Sequence, residues 1–497
     1  MSHTENYKEN KKDLPLRLIL SSVPALFFVI FLWNFWSKGP YALGFNATFF
    51  LLIFLTLFAW VLYKKDFYSH RDLLWIIPMV LIAISYSFYD NPFFKVVNLL
   101  FFPLLFIVFY NQSFLINKKN KIWDFSFISK IVARFFSFLS KIGKTFYLYL
   151  NLLVPVNKNK KNVFVRVISG VILFLIISLT FFIPLLSSAD LEFASRMKVF
   201  YGWFSSFISL PFVYRALVFI ALTILFFSTL TAWSEKFICE EKKEDKKNID
   251  PIISGIVLGG VLLLYLLFLW IQLSRLLIGS LPFDFKEVES LVKSGFWQLL
   301  FLSIINILIY FFTYKKTNLL IQRILAIFTI TSLFLLFSAA YRMGLYVKYY
   351  GFSYEKFFAS YTVIYCGILF IWLISRLFVK SRSNILKFLI FLFLWMYSFI
   401  SIFPVERFIL RTNIALSGIE DSRIRLFELT MLSPDVLSPI REYKQAGLLE
   451  ESVAYLARKG EEKSVDKFDW SPWIKRQEKK ISDKKWYEKN LTNLVSN

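Results

Sequence analysis

The residues most able to do chemistry lie in LFSAAYRMGLYVKYYGFSYEKFFASY, residues 336–361. Arg342 follows a long apolar run, and Tyr346, Tyr350 and Gly351 come within the next nine residues. An arginine at the end of a membrane span reaches the interface with its long side chain, where tyrosine rings also collect. The segment is therefore typical of an aromatic belt at a membrane surface. The alternative is that these closely spaced rings and glycines form one wall of a binding pocket.

Two other segments carry polar groups that could form a site. Asp190 and Glu192 lie in PLLSSADLEF, and two neighbouring carboxylates suggest an enzyme that acts on a lipid-linked sugar donor. Such enzymes usually place their acid in the first outer loop, which here is SKGPYALG and contains no acid. Asp190 is better interpreted as a helix cap. Gln272 and Arg275 share one face of an apolar helix, where a glutamine more often bonds a neighbouring helix than a substrate.

Common catalytic and cofactor motifs are missing from the sequence. It contains no phosphate-binding glycine loop, no GxSxG, no HExxH, no paired CxxC and no dinucleotide-binding glycine pattern. The 2 cysteines and 2 histidines are scattered along the chain. We therefore predict no catalytic residue, no cofactor and no metal site.

The composition indicates which elements must position these residues. Of the 497 residues, 57% are hydrophobic, well above a soluble domain. Apolar runs long enough to cross a bilayer recur along the chain and predict an all-α integral membrane protein with about eleven transmembrane helices. The predicted spans are 16–36, 46–63, 73–89, 93–110, 165–186, 212–233, 252–274, 297–313, 321–341, 358–378 and 385–404. The third and fourth are short, and a re-entrant pair is the alternative for them.

The loops between these spans are alternately rich and poor in lysine and arginine, which predicts their sidedness. The N-terminus is predicted to be cytoplasmic and the C-terminus extracytoplasmic. Most of the net charge of +24 then lies at the cytoplasmic face, where it meets anionic lipid headgroups. Nucleic acid is not needed to explain the basic character of the chain.

The prediction divides the chain into four regions. Residues 1–110 form a four-span region, and 111–163 a cytoplasmic loop with an amphipathic interfacial helix. Residues 164–404 form a seven-span core, and 405–497 a small helical extracytoplasmic domain. The loop helix carries its basic residues along one edge, which indicates contact with lipid headgroups. These residues are Lys130, Arg134, Lys141 and Lys144.

Several segments together resemble a family of bacterial polytopic membrane proteins, the domain of unknown function 4173 with its relative 4153. The likeness rests on PLLSSADLEF, LFLWIQLSRLLIG, SAAYRMGLYVKYYGFSYEKFFA and ILRTNIALSG, with FDWSPWIKRQ near the end of the chain. The resemblance implies a multi-span inner-membrane protein and brings no established reaction or ligand. It draws attention to Gly295, Phe296 and Asn413 in addition to the polar residues already described.

From this we predict a non-enzymatic membrane scaffold or envelope sensor, with an unidentified envelope protein as partner. A transporter or lipid-handling protein is the alternative, and an enzyme on a lipid-linked substrate is the third. In either alternative the candidate residues would converge on an outward-facing pocket beneath the C-terminal domain. The candidate set is Asp190, Gln272, Arg275, Arg342, Tyr346, Tyr350, Gly351 and Asn413.

Overall fold

The structure, a computed structural model, describes most of the chain. The described ranges are 14–63, 73–114, 132–133, 136–153, 182–207, 210–234, 250–277, 285–314, 317–379, 384–419, 426–449 and 469–495, with a few isolated residues between them. Within these ranges the regular elements are all helical, which confirms the predicted all-α class.

The α-helices are numbered here in chain order. They are α1 Leu14–Phe27, α2 Phe35–Lys38, α3 Phe45–Tyr63, α4 Leu73–Phe88, α5 Pro92–Phe114, α6 Leu139–Leu153, α7 Ile183–Ala189, α8 Leu191–Phe207, α9 Leu210–Ser234, α10 Pro251–Leu277, α11 Phe285–Thr313, α12 Leu319–Tyr350, α13 Tyr354–Val379, α14 Ile385–Ile402, α15 Val405–Ser417, α16 Leu437–Gln445, α17 Ser471–Ser482 and α18 Leu491–Val495.

Seven of the described helices are long and apolar enough to cross a membrane. These segments lie in α5 and in α9 to α14, and each corresponds to a span predicted from the sequence. Arg17–Leu32 and Phe35–Ala42 form a pair bent by 51°, which would be an eighth span if counted as one. The apolar segments of α3 and α4 are shorter, and most of the predicted span 165–186 lies outside the described residues. Of the about eleven predicted spans, seven thus correspond to a sufficiently long apolar helix among the described residues.

The chain forms two compact units, each described here by itself. The first contains Met1–Ala42, Asn46–Asp72 and Phe106–Ile238, in which α9 packs against both α1 and α6. The second contains Leu43–Phe45, Leu73–Leu105 and Cys239–Asn497. The last predicted region, 405–497, therefore belongs to the same unit as α10 to α14. Residues 73–105 also join this unit, although the sequence placed them in a separate N-terminal region.

The core of the second unit is built on α12. This helix packs against α10, α11 and α13, and its fully buried face includes Leu325, Phe328 and Ala339. The helix α14 packs against α4. Polar residues inside these helices bond to neighbouring helices, as expected in an apolar medium. Asn98 on α5 accepts from the Tyr397 hydroxyl at 2.5 Å, and Asn306 on α11 accepts from Tyr265 at 2.8 Å.

Two helices differ from their sequence prediction. The helix α12 continues to Tyr350, nine residues beyond the predicted span end at 341, so the first tyrosines of the aromatic segment lie on a helix. The loop helix α6 begins at Leu139 after a turn at residues 137–138, so the predicted amphipathic helix is interrupted there. Lys130 and Arg134 lie outside the described residues. Lys141 is partly buried on α6, and Lys144 is described only in its backbone.

Candidate functional site

The C-terminal segment, residues 471–495, is held to the turn between α4 and α5 by a buried ion-pair cluster. Asp90, in this turn, has no solvent exposure and accepts from two ammonium groups. Lys95 Nζ on α5 lies 2.6 Å from its Oδ1, and Lys484 Nζ, just after α17, lies 2.5 Å from its Oδ2. Lys484 also donates to Asn493 Oδ1 at 3.1 Å on α18. The ion pair of Asp90 with Lys484 thus joins residues that are 394 positions apart in sequence.

A second carboxylate extends the contact. Both oxygens of Asp435 accept from the backbone N–H of Asp90, at 2.7 and 2.8 Å, and the Thr492 hydroxyl donates to Oδ1. Arg407 Nε on α15 donates to the Asp435 carbonyl oxygen at 3.1 Å. Asp435 lies in the short 3-10 turn Pro434–Val436, which Ser433 caps by accepting from the Asp435 N–H. The turn therefore fixes Asp435 where it can reach the α4–α5 connection.

A third buried carboxylate, Glu406 on α15, lies beside the first two. It accepts from the Ser433 N–H at 3.1 Å, from the Ser433 and Tyr354 hydroxyls, and from Asn91 Nδ2 at 3.3 Å. Asn91 also donates to the Tyr354 hydroxyl at 2.6 Å. These contacts join the α4–α5 turn, the start of α13, the start of α15 and the turn that Ser433 caps. The three carboxylates and their donors are called the carboxylate cluster below.

Burial and neighbouring charges shift the pKa values of this cluster in different directions. Burial opposes ionisation of Asp90, but the ammonium groups of Lys95 and Lys484 outweigh it and lower the pKa of Asp90. Burial and the adjacent Asp435 carboxylate raise the pKa of Glu406 to about 8. Burial and the Asp90 carboxylate raise the pKa of Asp435. Burial lowers the pKa of Lys484 to about 8, against the attraction of Asp90.

A glycine contact anchors the same segment farther along. The Phe45 N–H donates to the Lys489 carbonyl oxygen at 3.1 Å. A Cβ on the adjacent Gly44 would lie inside van der Waals contact with the carbonyl groups of Glu488 and Lys489, which are backbone and cannot rotate away. Only glycine allows this approach of the two chains.

Replacing Gly44 by alanine is therefore expected to displace the C-terminal segment and to lower the free energy of unfolding by about 1–3 kcal/mol. Thermal unfolding of the full chain in detergent measures the effect. Gly344→Ala is the matched control, since a Cβ at Gly344 on α12 meets nothing within 4 Å. Alanine there is expected to be neutral or to stabilise the helix by up to about 1 kcal/mol. Equal effects of the two changes would contradict the contact.

The structure brings two of the predicted site residues together at the end of α12. Gly351 ends this helix with φ +66°, a conformation that favours glycine. Asn413 on α15 pairs with the next residue, Phe352: its Oδ1 accepts from the N–H at 2.6 Å and its Nδ2 donates to the carbonyl at 2.9 Å. A Cβ on Gly351 would lie 2.6 Å from Asn413 Oδ1. Gly351 and Asn413 thus fix a chain turn.

Asn413→Ala is expected to cost about 1–3 kcal/mol, since it leaves the partly buried N–H and carbonyl of Phe352 without their partner. Thr412→Ala, at the adjacent and less buried position, is expected to stay within about 0.5 kcal/mol. Thermal unfolding midpoints of the two purified variants make the comparison. A stable Asn413→Ala protein would mean that water replaces the amide.

The tyrosines of the same segment surround a lysine of the chain itself. Lys356 Nζ lies 4.1 Å from the ring centroid of Tyr346 and 5.8 Å from that of Tyr350. It donates to the carbonyl oxygens of Tyr350 at 3.0 Å and Gly351 at 2.7 Å, at the negative end of α12. The rings therefore hold a helix-capping cation of this chain.

The other predicted site residues lie elsewhere. Arg342 is partly buried on α12, four residues before Tyr346. Asp190, in the first unit, is exposed and its Oδ1 accepts from the Glu192 N–H at 2.8 Å, at the start of α8. Gln272 and Arg275 lie on α10, but their side chains are outside the described residues.

The carboxylate cluster itself was missed by sequence reasoning. Asp90, Glu406 and Asp435 are single acids in short turns or at a helix start, 316 and 29 positions apart. The sequence offered one signal. Asp90 and Glu406 each follow the predicted outer end of a span, and Asp435 lies in the tail after the last span. The cleft beside the cluster has about 10 Å³ of space, close to that of one water molecule. The contacts of the carboxylate cluster join separate parts of the chain to one another.

Long apolar helices and a buried polar cluster at their ends are the features of a polytopic membrane protein. The family called domain of unknown function DUF4153 matches residues 76–443 of the chain. Because this match covers most of the sequence, the chain belongs to that family. The related family 4173, suggested from sequence segments, is not shown. No curated protein and no solved structure matches the chain.

Proposed function

We propose that this chain is a non-enzymatic inner-membrane scaffold or envelope sensor of a bacterium. Its C-terminal segment is extracytoplasmic and docks on the outer ends of the membrane helices. The observation that carries the proposal is the carboxylate cluster, which uses five buried ionisable side chains to hold this segment. The five are Asp90, Lys95, Glu406, Asp435 and Lys484. So many buried charges are costly unless paired, and here they are used to fix one arrangement of the chain.

The contacts of the second unit support the predicted sidedness. The alternation of basic loops puts residues 37–45, 89–92 and 351–354 and the C-terminal segment outside the membrane. In the structure Phe45 contacts Lys489, Asp90 contacts Lys484, and Tyr354 contacts Glu406. Segments assigned to one side from charge alone thus meet each other. About eleven spans, with a cytoplasmic N-terminus, are the topology that we propose.

The docked segment also presents apolar side chains to its surroundings. Trp486 is 72% exposed and Val495 is 71% exposed, with Leu494 also exposed on α18. Exposed apolar groups on a polar segment are typical of a contact surface. They support an envelope protein as partner. The cleft lined by Phe296, Met343, Tyr346 and Lys356 has about 10 Å³ of space, close to that of one water molecule, which does not favour a transported solute or a lipid-linked substrate there.

Site-specific photo-crosslinking in intact cells tests this function. A photoreactive residue at Trp486 is expected to capture one defined protein. The same residue at Lys479, exposed on the charged helix α17, is the control and is expected to capture none. Crosslinks to lipid alone from Trp486 would contradict the scaffold and favour a lipid-handling protein.

A further inference from the structure

A buried guanidinium, with two nitrogens that lack an acceptor among the described residues, lies at the opposite end of α13 from the carboxylate cluster. Arg376, in the last turn of this helix, is only 7% exposed. Its Nε and Nη1 are buried and donate to no residue that the structure describes. A buried charge without a hydrogen-bond acceptor is strongly disfavoured. The guanidinium therefore calls for an anionic partner.

Aromatic rings hold this guanidinium in place. Its central carbon lies 4.5 Å from the ring centroid of Tyr314 and 5.3 Å from that of Trp372. The Tyr314 ring stacks on Tyr310 at 5.2 Å, and the Tyr310 hydroxyl donates to the Leu373 carbonyl at 3.1 Å. Trp372 stacks on the ring of Phe388 at 4.0 Å. The rings are themselves fixed, so they present Arg376 in one orientation.

This arrangement fits a particular class of ligand. Aromatic rings interact with the π face of a guanidinium and cannot accept from the N–H groups in its plane. Those groups match the oxygens of a phosphate, which arginine binds in a planar, two-pronged geometry. Two further cations, Arg323 on α12 and Lys387 on α14, are exposed and lie near the start of helices that pack against α13. They add positive potential at this end of the bundle.

We infer that Arg376 binds a phosphate group, carried by an anionic lipid headgroup or present as a free ion. The rings of Tyr314 and Trp372 line the guanidinium, and the phosphate supplies the acceptor that the described residues lack. The site shares no residue with the basic edge predicted for the loop helix or with the residues first considered as an outward-facing pocket.

The test uses the full chain in dodecylmaltoside, a detergent without phosphate. Thermal unfolding is followed while phosphatidylglycerol, inorganic phosphate or phosphate-free diacylglycerol is added. Phosphatidylglycerol is expected to raise the unfolding midpoint by roughly 2–4 °C, and diacylglycerol is expected to leave it unchanged. An equal rise with inorganic phosphate would identify the free ion as the ligand. An equal rise with diacylglycerol would overturn the proposal.

The variants Arg376→Gln and Arg323→Gln separate this site from general basic character. Arg376→Gln is expected to raise the half-saturating phosphatidylglycerol concentration at least about tenfold. Arg323→Gln removes a solvent-screened charge at the same end of the bundle and is expected to raise that concentration by less than about twofold. Should Arg376→Gln not fold, Arg376→Lys keeps the charge without the planar fork and is expected to weaken the response severalfold. If the folded Arg376 variant responds to phosphatidylglycerol like the unchanged chain, the proposal is overturned.

Discussion

Replacing Asp90 by asparagine is expected to lower the free energy of unfolding by about 3–5 kcal/mol and to release the C-terminal segment. The change leaves the ammonium groups of Lys95 and Lys484 buried at the same place without a counter-charge. The side chain keeps its size, and the Asp90 N–H still faces Asp435, so the effect reports the lost charge. Hydrogen exchange of residues 471–495 in the full chain, together with thermal unfolding, measures it.

The control is Asp190→Asn, the same chemical change at an exposed helix cap. Asparagine caps a helix about as well as aspartate, so this variant is expected to behave like the unchanged chain. Adding Lys484→Met to Asp90→Asn removes one cation as well as the anion, and we expect it to restore part of the stability because the two sites are coupled. Unchanged exchange of residues 471–495 in Asp90→Asn would show that the ion pairs do not hold the segment.

The second large effect is expected from pH. The pKa of Glu406 is raised to about 8 by burial and Asp435, so the folded chain binds a proton that the unfolded chain releases near pH 4.5. The stability due to this proton is complete below about pH 4.5 and is lost as pH rises toward 8. Each proton changes the free energy of unfolding by up to about 1.4 kcal/mol per pH unit. Asp435, whose pKa is also raised, acts in the same direction.

The groups that face Glu406 define the rest of the profile. Asp435 is the charged neighbour of Glu406, and Arg407 Nε donates to the Asp435 carbonyl oxygen. Lys95 and Lys484 face Asp90, which is ionised throughout this range because its pKa is lowered. Lys484 has a pKa lowered to about 8, and its contribution rises between pH 8 and 10.5. We therefore expect the C-terminal segment to be held most tightly in mild acid and least tightly near pH 8. Hydrogen exchange of residues 471–495 between pH 5 and 9, corrected for the intrinsic exchange rate, measures this profile.

Glu406→Gln is expected to flatten the profile between pH 5 and 8 and to slow exchange of the segment at pH 8, because the amide resembles the protonated acid. Glu442→Gln, on the exposed side of α16, is the matched control and is expected to leave the profile unchanged. A profile that persists unaltered in Glu406→Gln would assign the pH dependence to another group.

Much of this protein could be predicted from short stretches of sequence because the membrane imposes strong local rules. A span needs about 20 apolar residues, and that requirement found the segments of α5 and of α9 to α14 without tertiary information. The cap at Ser433 and the start of α17 at Ser471–Pro472 also follow local turn chemistry. Asn98 and Asn306 bond neighbouring helices, as polar residues inside apolar helices commonly do.

Local rules failed where a segment's end depends on what packs beside it. The predicted apolar span ends at 341, and the sequence did not indicate that α12 continues to Tyr350. Lys356 lies on the following helix, and its donation to the last carbonyls of α12 requires both helices to be in place. The φ of +66° at Gly351 then ends the helix, and Asn413 fills the space that a side chain would take.

The sequence by itself determined the class of protein, the positions of seven membrane helices and the side of the membrane proposed for each loop, because hydropathy and charge act residue by residue. Only the tertiary structure decided which polar residues meet. Asp90, Asp435 and Lys484 are ordinary charged residues of short connections. Their pairing follows from the packing of α17 and α18 on the Pro434–Val436 turn and of α18 on α4. Arg376 was similarly indistinguishable from a basic residue at a helix end until Tyr314 and Trp372 were seen to enclose it.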